Sequence, residues 1–445
     1  MSGDIDHNSI DCLLSLSRKM MPMKKSLLFV LLLTPLVSIS QTQHDPLRQG
    51  FSHPPDEARP WVYWVWMDGN LSREGITADL EAMKRAGIGG TIIMEVNVGI
   101  PQGPVKFMSP EWRQLFKHAV TEAMRLDLQI TLISGPGWTG SGGPWVKPEQ
   151  SMQHIVASDT TVSGPRHFEG TLRQPVRWPA FFGDGLLPPD QEKTKNEFYR
   201  DVSVLAFPAT PETRRIDDIG EKALYVRAPF SSFPNVKSFL PTSADYPSLP
   251  SGETIKSGGV IDLTNRLLPD GKFSWDVPKG NWTILRFGTT STGATTRPAP
   301  VPGLGLECDK LDTTALNAHF DAYIGALLRE VGTHITPSGA GWTYLHIDSW
   351  EMGAQNWTLL FREEFRRRRG YDLFTYLPAM TGRIVESPEV SERFLWDVRQ
   401  TAQELVLQNH ALHLKELGRR NGFGLSIEPY DMMPCSDMSL GAAAD

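Results

Sequence analysis

At 445 residues the chain exceeds one ordinary domain and can bury a sizeable core, so two or three domains are expected. Its 44 Lys and Arg against 51 Asp and Glu give a formal charge of -7, which leaves no electrostatic footprint for nucleic acid or an anionic membrane surface and points to a neutral partner. The 13 Trp, several beside Gly and Pro in expected loops, suit a hydroxyl-rich ligand whose C–H faces stack on indole rings, beside their commoner use as core residues.

The N-terminus reads as a targeting segment. Met23-Lys24-Lys25 is a basic start, Leu27 to Leu33 an apolar run, and Val37-Ser38-Ile39-Ser40 ends in the small residues that a signal peptidase requires. Residues 23–40 are therefore expected to be a cleaved signal peptide and the protein periplasmic or secreted, with residues 1–22 an upstream start artefact. The run is far shorter than the roughly 20 residues that span a bilayer, and no Cys follows it, so no stable membrane anchor is expected. Of the cysteines Cys12, Cys308 and Cys435, none has CxxC or Cys/His ligand spacing, and two free buried thiols at Cys308 and Cys435 are the plainer reading.

Beyond a short linker the elements alternate. Trp61 to Met67 is a strand closed by Asp68-Gly69-Asn70, and Ile76, Leu80 and Met83 lie at helical spacing behind it. Thr91 to Val96 is a second strand. A helix opened by Ser109-Pro110 buries Trp112, Leu115, Phe116, Ala119 and Ala123, and Gln129 to Ser134 is a third strand running into the Gly/Trp-rich loop Gly135 to Trp145. This rhythm over residues 50–150 predicts the first part of a (β/α) barrel. From 151 to 292 short strands and turn signals predict an all-β insertion without a convincing amphipathic helix. Over 293–445 the helical rhythm returns: a helix through Leu316, Phe320, Ile324, Leu327 and Val331, a strand from Trp342 to Ile347, a helix from Trp357 to Arg369, a long helix from Ser391 to Arg420 and a strand from Phe423 to Ile427. The fold class is thus α/β, a partial (β/α)8 TIM-type barrel with an all-β insertion domain. Five of eight strands are countable, so the chain is expected to be truncated before the last ones.

Five carboxylates close these strands or follow them: Asp68, Glu95, Asp348, Glu351 and Glu428. Strand ends of a parallel barrel converge on one pocket, and glycoside hydrolysis needs two carboxyl groups there, one protonated and one ionised. Glu351 is the expected general acid, because Trp350 beside it would lower local polarity and raise its pKa. Asp348, His346, Trp350, Glu428, Glu95, Asp68 and Trp138 are the expected substrate contacts. N-capping or pairing with Arg is the structural use of any one such acid. The Gly135 to Trp145 loop lacks the Lys and Ser/Thr of a phosphate loop, which leaves a rigid sugar-binding loop or a connector with buried indoles. No HExxH or GxSxG is present.

The run Ala58 to Asn70, the segments Gly135 to Trp138 and Ser141 to Trp145, the string Gly305-Leu306-Glu307-Cys308-Asp309-Lys310 and His346 to Glu351 together resemble the N-terminal catalytic region of the α-L-rhamnosidases of glycoside hydrolase family 106. That resemblance, from about residue 50 to the end, implies a barrel followed by β-sandwich domains, inverting hydrolysis of terminal α-L-rhamnosides in an oligo- or polysaccharide, a calcium ion near the sugar with ligands unassigned, and a general acid at Glu351. It places the general base in a Gly-Glu-Phe-Trp-like motif beyond Asp445. Two other readings stand beside it: a retaining glycosidase with Glu428 as nucleophile, separable by carboxyl spacing of about 5 Å against roughly 6.5 to 9.5 Å, and a non-catalytic sugar-binding fragment.

Overall fold

The run Trp61–Met67 forms β1 with a clean two-residue period, Trp64 and Trp66 buried and Tyr63, Val65 and Met67 exposed. The computed structural model describes residues 45–138, 140–211, 213–227, 246, 248–250, 252–430 and 435–445; the signal-peptide and start-artefact expectations fall on residues outside these. One unit, Met1–Pro54, holds among its described residues the short helix Pro46–Ser52, capped by the Asp45 carboxylate. Everything that follows lies in the other, Pro55–Asp445.

After β1 come α1 (Arg73–Arg85), β2 (Gly90–Val96), α2 (Pro110–Leu126) and β3 (Gln129–Ile133). Ser72 and Ser109 cap the two helices with side-chain oxygens that accept from Gly75 N and Trp112 N. The expected stripe on α2 is buried in full and meets the covered face of the sheet through rings: Trp66–Trp112 at 5.4 Å, Trp66–Phe116 at 6.3 Å and Phe116–Trp342 at 5.0 Å. Each such pair adds roughly 0.5–1.5 kcal/mol beyond its buried area.

Residues between Gln153 and Ser291 build a separate antiparallel sheet of β4 (Gln153–Thr171), β5 (Arg200–Pro208), β6 (Ile261–Asp262) and β7 (Lys272–Ser291), in the order β4-β7-β5-β6. A helix does interrupt it. α3 (Pro189–Glu197) is polar on all sides, and its one buried residue is Lys195, so no apolar stripe announces it.

The parallel sheet then resumes. α4 (Thr313–Phe320), a π-helical turn Asp321–Gly325 and α5 (Ala326–Val331) form one continuous rod before β8 (Gly341–Ile347). α6 (Phe361–Arg369) starts later than its sequence pattern predicts, because Trp357 is drawn into a bridge with Gln153. α7 (Pro388–Leu405), a second π turn Val406–Ala411 and α8 (Leu412–Arg420) lead to β9 (Gly424–Ile427) and the closing helix α9 (Asp437–Gly441). Ser387 caps α7 through Val390 N, which moves its start ahead of the expected Ser391.

The main sheet has the order β1-β2-β3-β8-β9, every pair parallel. The chain is therefore mixed α/β, and among the described residues β1 and β9 are the sheet's edges. The sheet curls. β1 and β8 lie three strand spacings apart, about 14 Å on a flat sheet, yet the rings of Trp61 and Tyr344 meet at 5.8 Å and those of Tyr63 and His346 at 6.3 Å across the concave face. Gly90 and Gly424 make room for the lower rings, since a Cβ at either would come within 2.6 Å of Trp61 or 2.3 Å of Tyr344.

Candidate active site

The C-terminal ends of β8 and β9 deliver acids to this concave face. Register pairs His346 with Ser426, and one step on Glu428 N donates to Ile347 O at 2.9 Å, so the carboxyl groups of Asp348 and Glu428 emerge side by side. Burial raises the Glu428 pKa, and the charge and hydrogen bond of Asp348 raise it further. Asp348 Oδ1 accepts from Ser349 N at 2.8 Å and from Ser349 Oγ at 3.1 Å, and its Oδ2 lies 3.4 Å from His346 Nε2. His346 Nδ1 in turn is 3.0 Å from Ser426 Oγ. The carboxyl pair is thus oriented by its own strand neighbours.

Tyr63 faces the same pair from β1. Its hydroxyl is pushed up to about 12 by burial and then by Asp348, Glu428 and Tyr430, which keeps it a proton-bearing donor at neutral pH. Glu351 is half-buried three residues beyond Asp348, and Arg227, reached from the β-rich insertion, lies within the field of Glu351 and Tyr430. Of the expected contacts the structure brings together His346, Asp348 and Glu428, with Glu351 following on the same connection. Trp138 reaches this face too, half-buried against Met94, Val96 and Ile133.

Three expected contacts go elsewhere. Trp350 is 1% exposed, with His410 at 6.0 Å and Lys310 at 5.8 Å, so its indole lies in the core and not on the concave face. Glu95 shares a register position with Trp66 and therefore faces the helices, its Oε2 accepting from Trp112 Nε1 at 3.0 Å. Asp68 is buried with a left-handed backbone, φ 41°, and its charge bears on Glu95, so the two form an acid pair apart from the first. Tyr63, Ser426, Tyr430 and Arg227 escaped the sequence reading. The first two had a signal, the parity of their strands relative to His346; Arg227 had none.

The Gly/Trp loop divides between its two readings. Trp138 lines the concave face, whereas Trp145 stacks on Tyr323 at 5.6 Å and donates to His319 Nδ1 at 3.0 Å as a connector indole does. Gly142–Gly143 pairs with Leu306–Glu307, and behind this ribbon Lys310 Nζ, wholly buried, meets Glu307 Oε2 at 2.6 Å, Ser141 O at 2.7 Å and Ser141 Oγ at 3.0 Å. Ser141 Oγ also lies 2.8 Å from His410 Nε2. Cys308 and Cys435 are free buried thiols. Among the described residues no group of three or more His, Cys, Asp or Glu converges as a metal site, and no helix is long and apolar enough to cross a membrane.

Comparisons with known proteins bear on the family. The chain is 39% identical over 399 residues to a putative beta-glucuronidase of Formosa agariphila, a match that covers 90% of the chain and 32% of that relative. It superposes on the rhamnosidase of Novosphingobium sp. PP1Y with a TM-score of 0.70 and 29% identity, covering 89% of the chain and 49% of that structure. The chain thus spans about a third to a half of the length of these relatives. The model of the alpha-L-rhamnosidase family matches residues 52–442, so the chain belongs to glycoside hydrolase family 106.

Proposed function

We propose that the chain carries the glycone-binding face of an exported, inverting α-L-rhamnosidase built on a partial (β/α)8 barrel. The observation that carries the reading is the convergence of Asp348, Glu428, His346 and Tyr63 on the curled inner face, with Glu351 on the connection leaving it. Glu351 donates its proton to the glycosidic oxygen as the bond breaks, while Asp348, Glu428 and the Tyr63 hydroxyl hold the sugar hydroxyls. Water attacks the anomeric carbon from the opposite face as that bond breaks and gives its proton to a base, which is not assigned among the described residues. The order of five parallel strands, the curl of the sheet and the rhamnosidase likeness support the barrel.

Calcium suits the same place. Two adjacent carboxyl groups repel unless a proton or a cation lies between them, and beside burial, the larger cause, the Asp348 charge raises the Glu428 pKa. Asp348 and Glu428 would hold the ion with further oxygen ligands, and when bound it supplies a fixed positive charge to which sugar hydroxyls coordinate. Proton NMR of the first-formed sugar during hydrolysis of an aryl α-L-rhamnoside tests the reading: the β-anomer is expected, and an initial α-anomer would favour the retaining mechanism with Glu428 as nucleophile. Chelation should lower both activity and the melting temperature; unchanged values after exhaustive chelation would remove calcium from the site.

A further inference from the structure

The connection leaving β8 shows a single side chain to the outside. From Leu345 to Thr358 every residue is buried except Glu351, which is half-buried, although the stretch beyond Ile347 belongs to no helix or strand before α6. Loops are ordinarily exposed, and a buried one must find partners for its backbone in other segments. Two remote segments supply them. At the start of β4, Gln153 O accepts from Asn356 N at 3.3 Å and from Trp357 N at 3.2 Å, and His154 Nε2 donates to Ala354 O at 2.9 Å. Asn356 closes this join: its Oδ1 accepts from Ile155 N at 2.8 Å and its Nδ2 donates to Ala223 O at 2.8 Å. From the Gly305 to Lys310 string, Lys310 N donates to Gln355 Oε1 at 3.2 Å, while Gln355 Nε2 donates to Asp309 Oδ1 and, at 3.1 Å, to Trp357 O. Gly353, with φ 94°, makes the turn between Glu351 and the join, and a Cβ there would come within 3.0 Å of Phe181.

We propose that His154, Gln355 and Asn356 are positioning residues for Glu351, so that the β-rich insertion and the Asp309-Lys310 string are parts of the mount of the proton donor; this rests on the rhamnosidase reading. A general acid must come within about 2.6–3.2 Å of the oxygen it protonates, and a misplacement of about 1 Å costs on the order of 10²-fold in rate. Asp348 is held by β8 and by its neighbours Ser349 and His346. Glu351 lies past the strand, and its connection is fixed only when the far end is tied as well. The bonds at Ala354, Gln355 and Asn356 are that second tie. Both amides use their donor and their acceptor, and being neutral they add no charge beside the acid. Burial pulls the His154 pKa down to about 4, so its ring is neutral at neutral pH and commits its N–H to Ala354 O.

Steady-state kinetics of Asn356→Ala and His154→Leu on two α-L-rhamnosides, one with a sugar and one with a dinitrophenolate leaving group, test the proposal together with amide hydrogen exchange. Only the sugar needs a proton to depart. Each variant should lower kcat on the sugar rhamnoside by about 10²-fold at little-changed KM, and keep the dinitrophenyl rhamnoside within about ten-fold of the unmodified protein. Exchange should quicken over residues 348–357 and stay unchanged in β1 to β3. His154→Gln restores an amide donor toward Ala354 O and should recover most of the loss; if Asn356→Ala does not fold, the two His154 variants carry the same comparison. Equal losses on both substrates, a rise in KM alone, or no rescue by Gln shows a merely structural role and overturns the proposal. Turnover by the unmodified protein without a split between substrates in the variants leaves the rhamnosidase reading intact and sinks the positioning role. No turnover of either substrate by the unmodified protein counts against the rhamnosidase reading, and exchange then decides: quickening confined to residues 348–357 upholds the join as what fixes Glu351, and unchanged exchange overturns it.

Discussion

Glu95 and Glu428 are both strand-end glutamates, and their surroundings separate their roles. Burial against α2 raises Glu95 from the ordinary 4.5 to about 8, and the hydrogen bond from Trp112 only partly offsets this. Below the ordinary value both the folded and unfolded chains hold the proton, so nothing is lost there. As pH rises from there to about 8 the unfolded chain releases a proton that the folded one retains, and stability falls; beyond about 8 the loss is complete. Glu95→Gln keeps an acceptor for Trp112, so urea midpoints of this variant should lie above those of the unmodified protein at about pH 8 and match them near about pH 4. A midpoint difference independent of pH would show that Glu95 is ionised in the fold. At Tyr63, 49% exposed, removal of the hydroxyl should lower kcat/KM by about ten-fold with little change in melting temperature, as expected for one lost hydrogen bond to substrate.

At the scale of elements, the ribbon of Gly142–Gly143 with Leu306–Glu307 depends on a buried ion pair. Lys310 and Glu307 have no exposed side-chain surface, and losing one partner of such a pair costs about 3–5 kcal/mol. Lys310→Met should therefore cut the unfolding free energy by that order in urea titrations, with Glu307→Gln/Lys310→Met recovering part of it; a loss under about 1 kcal/mol would mean that the pair is solvated. The strings Gly135 to Trp145 and Gly305 to Lys310 were legible as motifs, but nothing in either says that they pair with each other. Strand ends were legible for a physical reason: on β1 and β8 a two-residue period stops at a turn residue or a carboxylate. β2 defeated that reading, because a strand covered on both faces has no alternation, and only its register with Trp66 shows that Glu95 points to the helices. Trp350 adjoins Glu351 in sequence, but neighbouring side chains diverge, and its indole enters the core beside Lys310 and His410. The polar helix α3 and both π turns leave no apolar period to find.

For the whole molecule, the curled sheet presents Tyr63, Val65 and Met67 on an open concave face at 49%, 41% and 42% exposure. Apolar surface of this kind on an edge strand invites association. The chain as it stands should bind a hydrophobic reporter dye and sediment with a self-associating component, and Val65→Thr/Met67→Gln should weaken both signals; dye binding unchanged in that variant would place the exposed apolar surface elsewhere. The same open face carries the acids, so fold and chemistry share one surface: the rings of Trp61 and Tyr344 fill its lower end and the carboxyl groups its upper end.

The assignment of Glu351 as proton donor is tested most directly by comparing kcat/KM of the unmodified protein and Glu351→Gln on two rhamnosides, one with a dinitrophenolate leaving group and one with a sugar. A sugar alkoxide cannot leave without a proton, whereas dinitrophenolate can. Glu351→Gln should lower kcat/KM on the sugar rhamnoside by about 10²- to 10⁴-fold and leave the dinitrophenyl rhamnoside within about ten-fold of the unmodified protein. Equal losses on both substrates would contradict the assignment and give Glu351 a role in binding.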